Sequence, residues 1–217
     1  MTHTVHPYAH RLGIIRDWKS RWFQTRKQYK TFLRADVLLR EYLIKSLRGM
    51  LVAGIEIERS NEILKIIVKT ARPGMLIGRQ GEGSVKLKNV IKTFLAKLKV
   101  PAKEIKLEIE EVRSPESNAA VVGQMIAEAL EKRLSFRRVI KQMIDKVTAN
   151  RQVKGVRIAL SGRLGGADMS RKEKLKWGTI PLQTFRADID FAREKAYLPY
   201  GVLGIKGWIY KGQIFSE

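Results

Sequence analysis

Two glycines bracket Arg79-Gln80 in the run Ile77-Gly78-Arg79-Gln80-Gly81, and they confine what this stretch of chain can become. Glycine enters the left-handed region without a Cβ clash, so the main chain can turn sharply here and approach another backbone closely. Pro73-Gly74 breaks any helix arriving from upstream, and apolar residues at helical spacing begin again at Val85. The expected unit is a loop feeding a helix start, whose unpaired N–H groups favour an anion. Arg79 adds a positive charge at the turn. By itself the glycine pair is weak, because ordinary turns and helix caps use the same residues.

Charge extends the argument to the whole chain. Against 43 Lys and Arg stand 21 Asp and Glu, a formal net charge of +22 on 217 residues. The excess is +13 over residues 1–113 and +9 over 114–217, so it is no terminal tail. Such a field draws polyanions. An anionic membrane would satisfy it as well as nucleic acid, but no apolar run approaches the roughly 18 to 20 residues of a spanning helix. The start Met-Thr-His-Thr-Val-His-Pro has no basic region followed by an apolar one, so no secretory signal is expected. With no cysteine there are no disulfides or thiolate metal sites, which fits a reducing compartment.

Residues 1–35 are expected to form a basic aromatic arm, with Arg11, Lys19, Arg21, Arg26 and Lys27 interleaved with Tyr8, Trp18, Trp22 and Phe23. That mixture suits phosphate pairing and base stacking, although the aromatics could equally dock on the domain behind them. His3, His6 and His10 are near helical spacing, but Pro7 interrupts and no acid lies close, so no metal is expected.

Over residues 36–113 the pattern predicts one α+β domain. Val37, Leu38, Tyr42, Leu43 and Leu47 recur at helical spacing, with Asp36 placed as an N-cap and Gly49 near the end. Ile55, Ile57 and then Ile63 to Val68, around a Ser60-Asn61 turn, predict a hairpin. A short helical turn, the glycine loop and a long amphipathic helix follow, and Ile105, Leu107 and Ile109 alternate into a strand after Pro101. The order helix, strand, strand, helix, GxxG, helix, strand resembles the type II KH domain, whose GxxG loop clamps a nucleic-acid backbone. Gly78, Arg79, Gln80 and Gly81 are the matching residues.

Residues 114–217 are expected to form a second α+β domain, two helices packed on a mainly antiparallel sheet. Ser114-Pro115-Glu116 is taken as a helix start. A second helix is expected after a bend near Ser135. On it Arg133, Arg137 and Lys141 would stand at i, i+4 and i+8, with Arg138 beside them and no acid in the stripe. Like charges so placed repel by a few tenths of a kcal/mol per pair, roughly, a cost that a polyanion would offset. Val156, Ile158 and Leu160 predict a strand running into Ser161-Gly162-Arg163-Leu164-Gly165-Gly166, after which Arg171, Lys172, Lys174 and Lys176 crowd one segment. Residues 179–192 and 200–215 are the further strands expected.

Seven stretches occur in order along nearly the whole chain: Val5-His6-Pro7, Arg11-Leu12-Gly13-Ile14, Thr70-Ala71-Arg72-Pro73-Gly74, Phe136-Arg137-Arg138, Ser161-Gly162-Arg163-Leu164-Gly165-Gly166-Ala167, Arg186-Ala187-Asp188-Ile189-Asp190 and Trp208-Ile209-Tyr210-Lys211-Gly212. Together they resemble the bacterial S-three family of small-subunit ribosomal proteins. The resemblance implies a structural, non-enzymatic and cofactor-free protein on the head of the cytoplasmic small subunit. It would hold small-subunit rRNA, touch the neighbouring proteins S-ten and S-fourteen, and line the channel where mRNA enters. The positions matching the family's basic channel residues are Arg137, Arg138 and Lys141, which would assist passive unwinding of mRNA. Arg11, Lys19, Arg21, Arg26, Lys27, Arg163, Arg171 and Lys172 are the candidates for rRNA.

The chain departs from the family in three places. Gln80 stands where a second loop cation is usual, the start lacks Gly-Gln-Lys, and residues 171–176 are more basic than the pattern. A free-standing KH regulator of mRNA is the alternative, but it would need neither the arm nor a second basic unit. An NTP-driven helicase would need GxxxxGK followed by Ser or Thr, and Gly81-Glu82-Gly83-Ser84-Val85-Lys86 fails that spacing. Glu108, Glu110 and Glu111 fall on a strand and its end, where a solvated edge is a simpler account than catalysis.

Overall fold

The computed structural model describes residues 5–60, 63–98, 100 and 104–215, the side chains of Arg26 and Lys27 excepted. His3, the Asn61 turn residue and Pro101 lie outside the described residues. The chain divides into two compact units, Trp18–Arg113 and Met1–Asp17 with Ser114–Glu217. The stretch expected as one arm is therefore shared between the two.

In the first unit, strand β1 (Ser20–Arg21) precedes helix α2 (Arg26–Ser46); a four-residue helix, α1 (Pro7–His10), lies earlier and belongs to the other unit. Then come β2 (Val52–Arg59), β3 (Ile63–Thr70), a short α3 (Pro73–Ile77), α4 (Glu82–Lys97) and β4 (Glu104–Glu111). The sheet runs β1-β2-β3-β4, with β2 and β3 antiparallel and both outer pairings parallel. This is the expected KH order with one added edge strand. Leu39, Leu43 and Leu47 of α2 and Ile91 and Leu95 of α4 pack on Ile55, Ile57, Leu64 and Ile66 of the sheet. Glu56, Glu58, Lys65, Lys69 and Glu108 alternate with them onto the opposite face, where Ile67 is an apolar exception.

Helix α2 begins ten residues before Asp36. Asp36 is accordingly no N-cap: it lies within the helix, 1% exposed, and its carboxylate binds Arg59 and Trp22.

In the second unit, α5 (Ala119–Glu131) and α6 (Phe136–Thr148) cover a sheet ordered β6-β5-β8-β7, from β5 (Gly155–Gly162), β6 (Arg171–Gly178), β7 (Ala187–Leu198) and β8 (Gly201–Gln213). Every pairing is antiparallel. Ser114-Pro115-Glu116 makes only a 3₁₀ turn, and α5 starts where Asn118 accepts hydrogen bonds from the Ala120 and Val121 N–H groups. Residues 179–186 join β6 to β7 instead of forming a strand, and the basic segment 171–178 is itself β6. Val122, Ile126, Leu130, Val139, Ile140 and Ile144 meet Val156, Ile158, Leu160, Ile205 and Ile209 in the core. Burial of each such side chain is worth about 1.5–3 kcal/mol.

Candidate nucleic-acid interface

The glycine loop is built by close approach of two helices. Gly78 ends α3, its N–H donating to Gly74 O at 3.0 Å, with φ +70°; Gly81 precedes α4 with φ +83°. A Cβ on Gly78 would stand 3.1 Å from Gly83 N. Gly83 is tighter still: a Cβ there would lie 2.4 Å from Leu76 O and 2.9 Å from Ile77 O, so this third glycine sets how closely α4 abuts α3. Its role follows only from the packing of the two helices. Arg79 and Gln80 project into solvent, and Gln80 itself is left-handed at φ +52°. Ser84 Oγ closes the turn on Gly81 O at 2.7 Å. Glu82 stands in the first turn of α4, 3.3 Å from Lys86, so a carboxylate faces any anion drawn to the loop.

Helix α6 places its cations more favourably. Arg137 and Arg138 are its second and third residues, Lys141 follows one turn on, and all three are exposed. No acidic residue occupies that first turn. Cations at a helix N-terminus oppose the macrodipole by about 0.3–1 kcal/mol each, so their positive fields add to that of the helix end. Two details differ from the expected stripe. Arg133 lies in the turn before α6 at φ +61°, off the helical face, and Glu173 of β6 reaches Arg137 at 3.4 Å. Arg137 remains 73% exposed, so that pairing is weak.

The arm cations serve different ends. Arg11, expected at rRNA, is 0% exposed and donates to the carbonyls of Ala187 at 2.6 Å, Pro7 at 3.0 Å, and Leu182 and Thr184 at 2.9 Å each. It pins the 181–187 loop and leaves no face for phosphate. Burial lowers its pKa, Asp188 pulls it back up and Arg16 lowers it further. Arg21 pairs with Glu56 and, at 3.4 Å, with Glu58. Those glutamates belong to an ion-pair ladder that crosses the KH sheet, Lys65 to Glu108 at 2.9 Å and Lys69 to Glu56 at 2.7 Å. The hydrogen bonds to Glu108 and Glu56 chiefly raise the pKa values of Lys65 and Lys69. That face is neutralised by its own carboxylates. Lys19 is exposed, Arg26 and Lys27 are the first two residues of α2, and their side chains lie outside the described residues.

Arg163 shapes the second glycine loop, donating to Ala167 O at 3.0 Å, Tyr200 O at 3.2 Å and Asp168 at 3.2 Å. Arg171 and Lys172 are exposed on β6, on opposite faces of the sheet. Among the aromatics Trp22 docks, its ring 5.2 Å from Tyr29 and its indole N–H on Asp36, whereas Phe23 is 93% exposed and Trp18 62%. His6 accepts from Tyr8 N–H and His10 packs on Phe185. Among the described residues no three His, Asp or Glu side chains converge on a metal-sized site, and no helix is long and apolar enough to cross a membrane.

Comparison with known proteins agrees with both units. Residues 38–117 match the family model described as KH domain, and residues 126–209 match that of "Ribosomal protein S3, C-terminal domain". "Small ribosomal subunit protein uS3" of Caldicellulosiruptor saccharolyticus is 42% identical over 217 residues, 100% of this chain and 95% of its own length. The protein of the same name from Clostridium tetani is 41% identical over 99% of this chain and 94% of its own. That of Endomicrobium trichonymphae is 42% identical over 100% of this chain and 90% of its own. With two fold units in the same order and identity at this level along the full chain, the protein belongs to the uS3 family of small ribosomal subunit proteins.

Proposed function

We propose that this chain is a non-catalytic constituent of the cytoplasmic small ribosomal subunit, that it binds rRNA, and that α6 holds mRNA where it enters the subunit. The observation that carries the channel reading is the pair Arg137 and Arg138 in the acid-free first turn of α6, extended by Lys141. Fixed cations there bind the phosphates of a passing strand. Translocation supplies the work, and the cations resist re-annealing by holding one strand apart from its complement. No nucleotide hydrolysis by the protein is needed. S-ten and S-fourteen are the neighbouring proteins in this reading, and Lys19, Arg26, Lys27, Arg171 and Lys172 remain its candidates for rRNA phosphates. The boundaries of the reading are a KH domain over 36–113 and the C-terminal domain over 114–217, with part of the arm folded into each.

The test replaces Arg137, Arg138 and Lys141 with Ala. Translation through a stable mRNA hairpin slows while the subunit content of the protein is unchanged; equal rates on hairpin and unstructured messages reject the channel role. Sedimentation tests the assembly role. The chain travels with small subunits at moderate salt and leaves them only at high salt, as counterion release requires.

A further inference from the structure

The helix layer of the C-terminal unit stops one strand short of the sheet's edge. On the side facing α6, the register sets Trp177, Leu175 and Glu173 of β6 beside Val156, Ile158 and Leu160 of β5. The three β5 side chains are fully buried, whereas Trp177 and Leu175 are each 44% exposed. Beyond Glu173 the same face carries Arg171, also exposed. The inner face of β6 is therefore a step beside α6, about one strand spacing or roughly 4.8 Å wide, that the helix leaves uncovered.

One contact fixes which flank of α6 forms the wall of this step. Arg137 reaches Glu173 at 3.4 Å, so the flank that carries Arg137 looks toward β6. Lys141 lies about 40° from Arg137 around the helix and Thr148 about 20°, on the same flank. Arg137 is answered in part, by Glu173 and by the Phe136 ring at 5.6 Å, which leaves exposed Lys141 as the wall's cation. Asp145 stands one turn beyond Lys141, so the cationic stretch ends there. Because β5 starts at Gly155, soon after α6 ends at Thr148, Trp177 opposite Val156 lies toward the far end of the helix. The step thus runs from charged at Arg137 to apolar at Trp177, with about 13 Å of strand between Glu173 and Trp177.

The backbone holds Trp177 in place. Gly178 follows it at φ +68° and pairs with Gly155. A Cβ on Gly155 would collide with Thr179 O, and one on Gly178 with Lys154 O, so the two strands close on each other beside the indole. Trp208 of the same sheet shows the packed alternative, its ring 5.0 Å from Phe191 and 4.9 Å below the Arg157 guanidinium. An open indole next to a cationic helix flank offers single-stranded RNA a face for a base as well as a charge for a phosphate.

We infer that the inner face of β6 is a base-stacking shelf for the RNA strand whose phosphates α6 holds. Lys141 takes a phosphate, and Trp177, with Leu175 beside it, takes a base further along the strand. Every base has a π-face, so such a shelf accepts a strand of changing sequence. The inference rests on the α6 reading above and adds to it a residue that contributes affinity without charge.

Two measurements on the full chain test it. An unstructured oligouridylate carrying 5-iodouridine is irradiated with the wild-type protein: crosslinks are expected at Trp177, and crosslinks confined to other residues overturn the shelf. Fluorescence anisotropy over a salt series then separates stacking from charge. Trp177→Ala is expected to weaken binding about fivefold or more with the log–log salt slope unchanged, since a stacked base releases no counterions. Trp177→Phe keeps most of the affinity, and Lys141→Gln lowers the slope by about 0.7. Wild-type affinity in Trp177→Ala, at an unchanged melting midpoint and with Lys141→Gln still weakened, overturns the shelf alone and leaves an apolar segment of a protein neighbour as its cover. Wild-type affinity and slope in a variant with Ala at Arg137, Arg138 and Lys141 overturn the shelf together with the α6 reading.

Discussion

The Asp36 carboxylate accepts two hydrogen bonds from the Arg59 guanidinium, at 3.1 and 2.6 Å, and a third from the Trp22 indole at 2.6 Å. The pair joins the middle of α2 to the end of β2, and Arg59 is only 10% exposed in its side chain. Asp36→Ala strands a buried guanidinium and an indole N–H together. The expected loss is about 3–5 kcal/mol, the cost of breaking a buried pair from one side. Hydrogen exchange locates it: amide protection falls across residues 18–113 and is retained in 114–215.

Asp36 also marks where sequence patterning stops being informative. The alternation of β4 and the spacing of α4 and α5 are legible because one face of each is apolar and the other charged. The first turns of α2 are not, since Tyr29, Phe32 and Leu33 sit among Arg26, Lys27, Lys30 and Arg34, and an Asp ahead of an apolar run has the signature of a cap. Strand β6 is hidden by its own exposed lysines, whose alternate residues Glu173 and Leu175 give no apolar period. Arg133 matches helical spacing in sequence but lies in a turn. In the candidate site, Arg137, Arg138, Lys141 and the GxxG loop are visible as charge and glycine patterns. That Arg11 is interior is not, because a cation in a basic segment carries no mark of the carbonyls that will surround it.

Arg11 is therefore expected to behave as a stability residue. The guanidinium offers a planar fork of N–H groups to carbonyls of four residues within 3.0 Å, and an ammonium on a flexible stem cannot reach them together. Arg11→Lys lowers the unfolding free energy of the C-terminal unit by about 2–4 kcal/mol, through several unmet buried acceptors at about 1–3 kcal/mol each with partial recovery. Below the melting transition its affinity for oligouridylate stays at the wild-type value. A drop in affinity with unchanged urea midpoint would instead return Arg11 to the RNA surface.

Gly83→Ala separates helix propensity from packing. In an isolated helix the change stabilises by about 0.8–1 kcal/mol. Here the new methyl lies 2.4 Å from Leu76 O, a backbone atom that can move only with α3. Overpacking of this kind costs about 1–3 kcal/mol, so the sign reverses and the variant melts lower than wild type. Displacement of α3 also shifts Gly78 and Arg79, so oligouridylate affinity falls with stability.

Gln80→Lys tests how much of the RNA grip belongs to the GxxG loop. Gln80 already occupies the left-handed region at φ +52°, and Lys meets the same steric cost there, so the exchange changes charge with little change in backbone strain. Arg79 is the loop's other exposed polar side chain, and Glu82 opposes it from the first turn of α4. One added phosphate contact steepens the salt dependence by about 0.7 for a single strand and raises affinity about three- to fourfold near 0.15 M salt. Glu82→Gln acts in the same direction by removing the opposing carboxylate, and the two changes are expected to couple because the groups share one turn. An unchanged salt slope in both variants would place the bound strand away from this loop, leaving the cations of α6 to hold it.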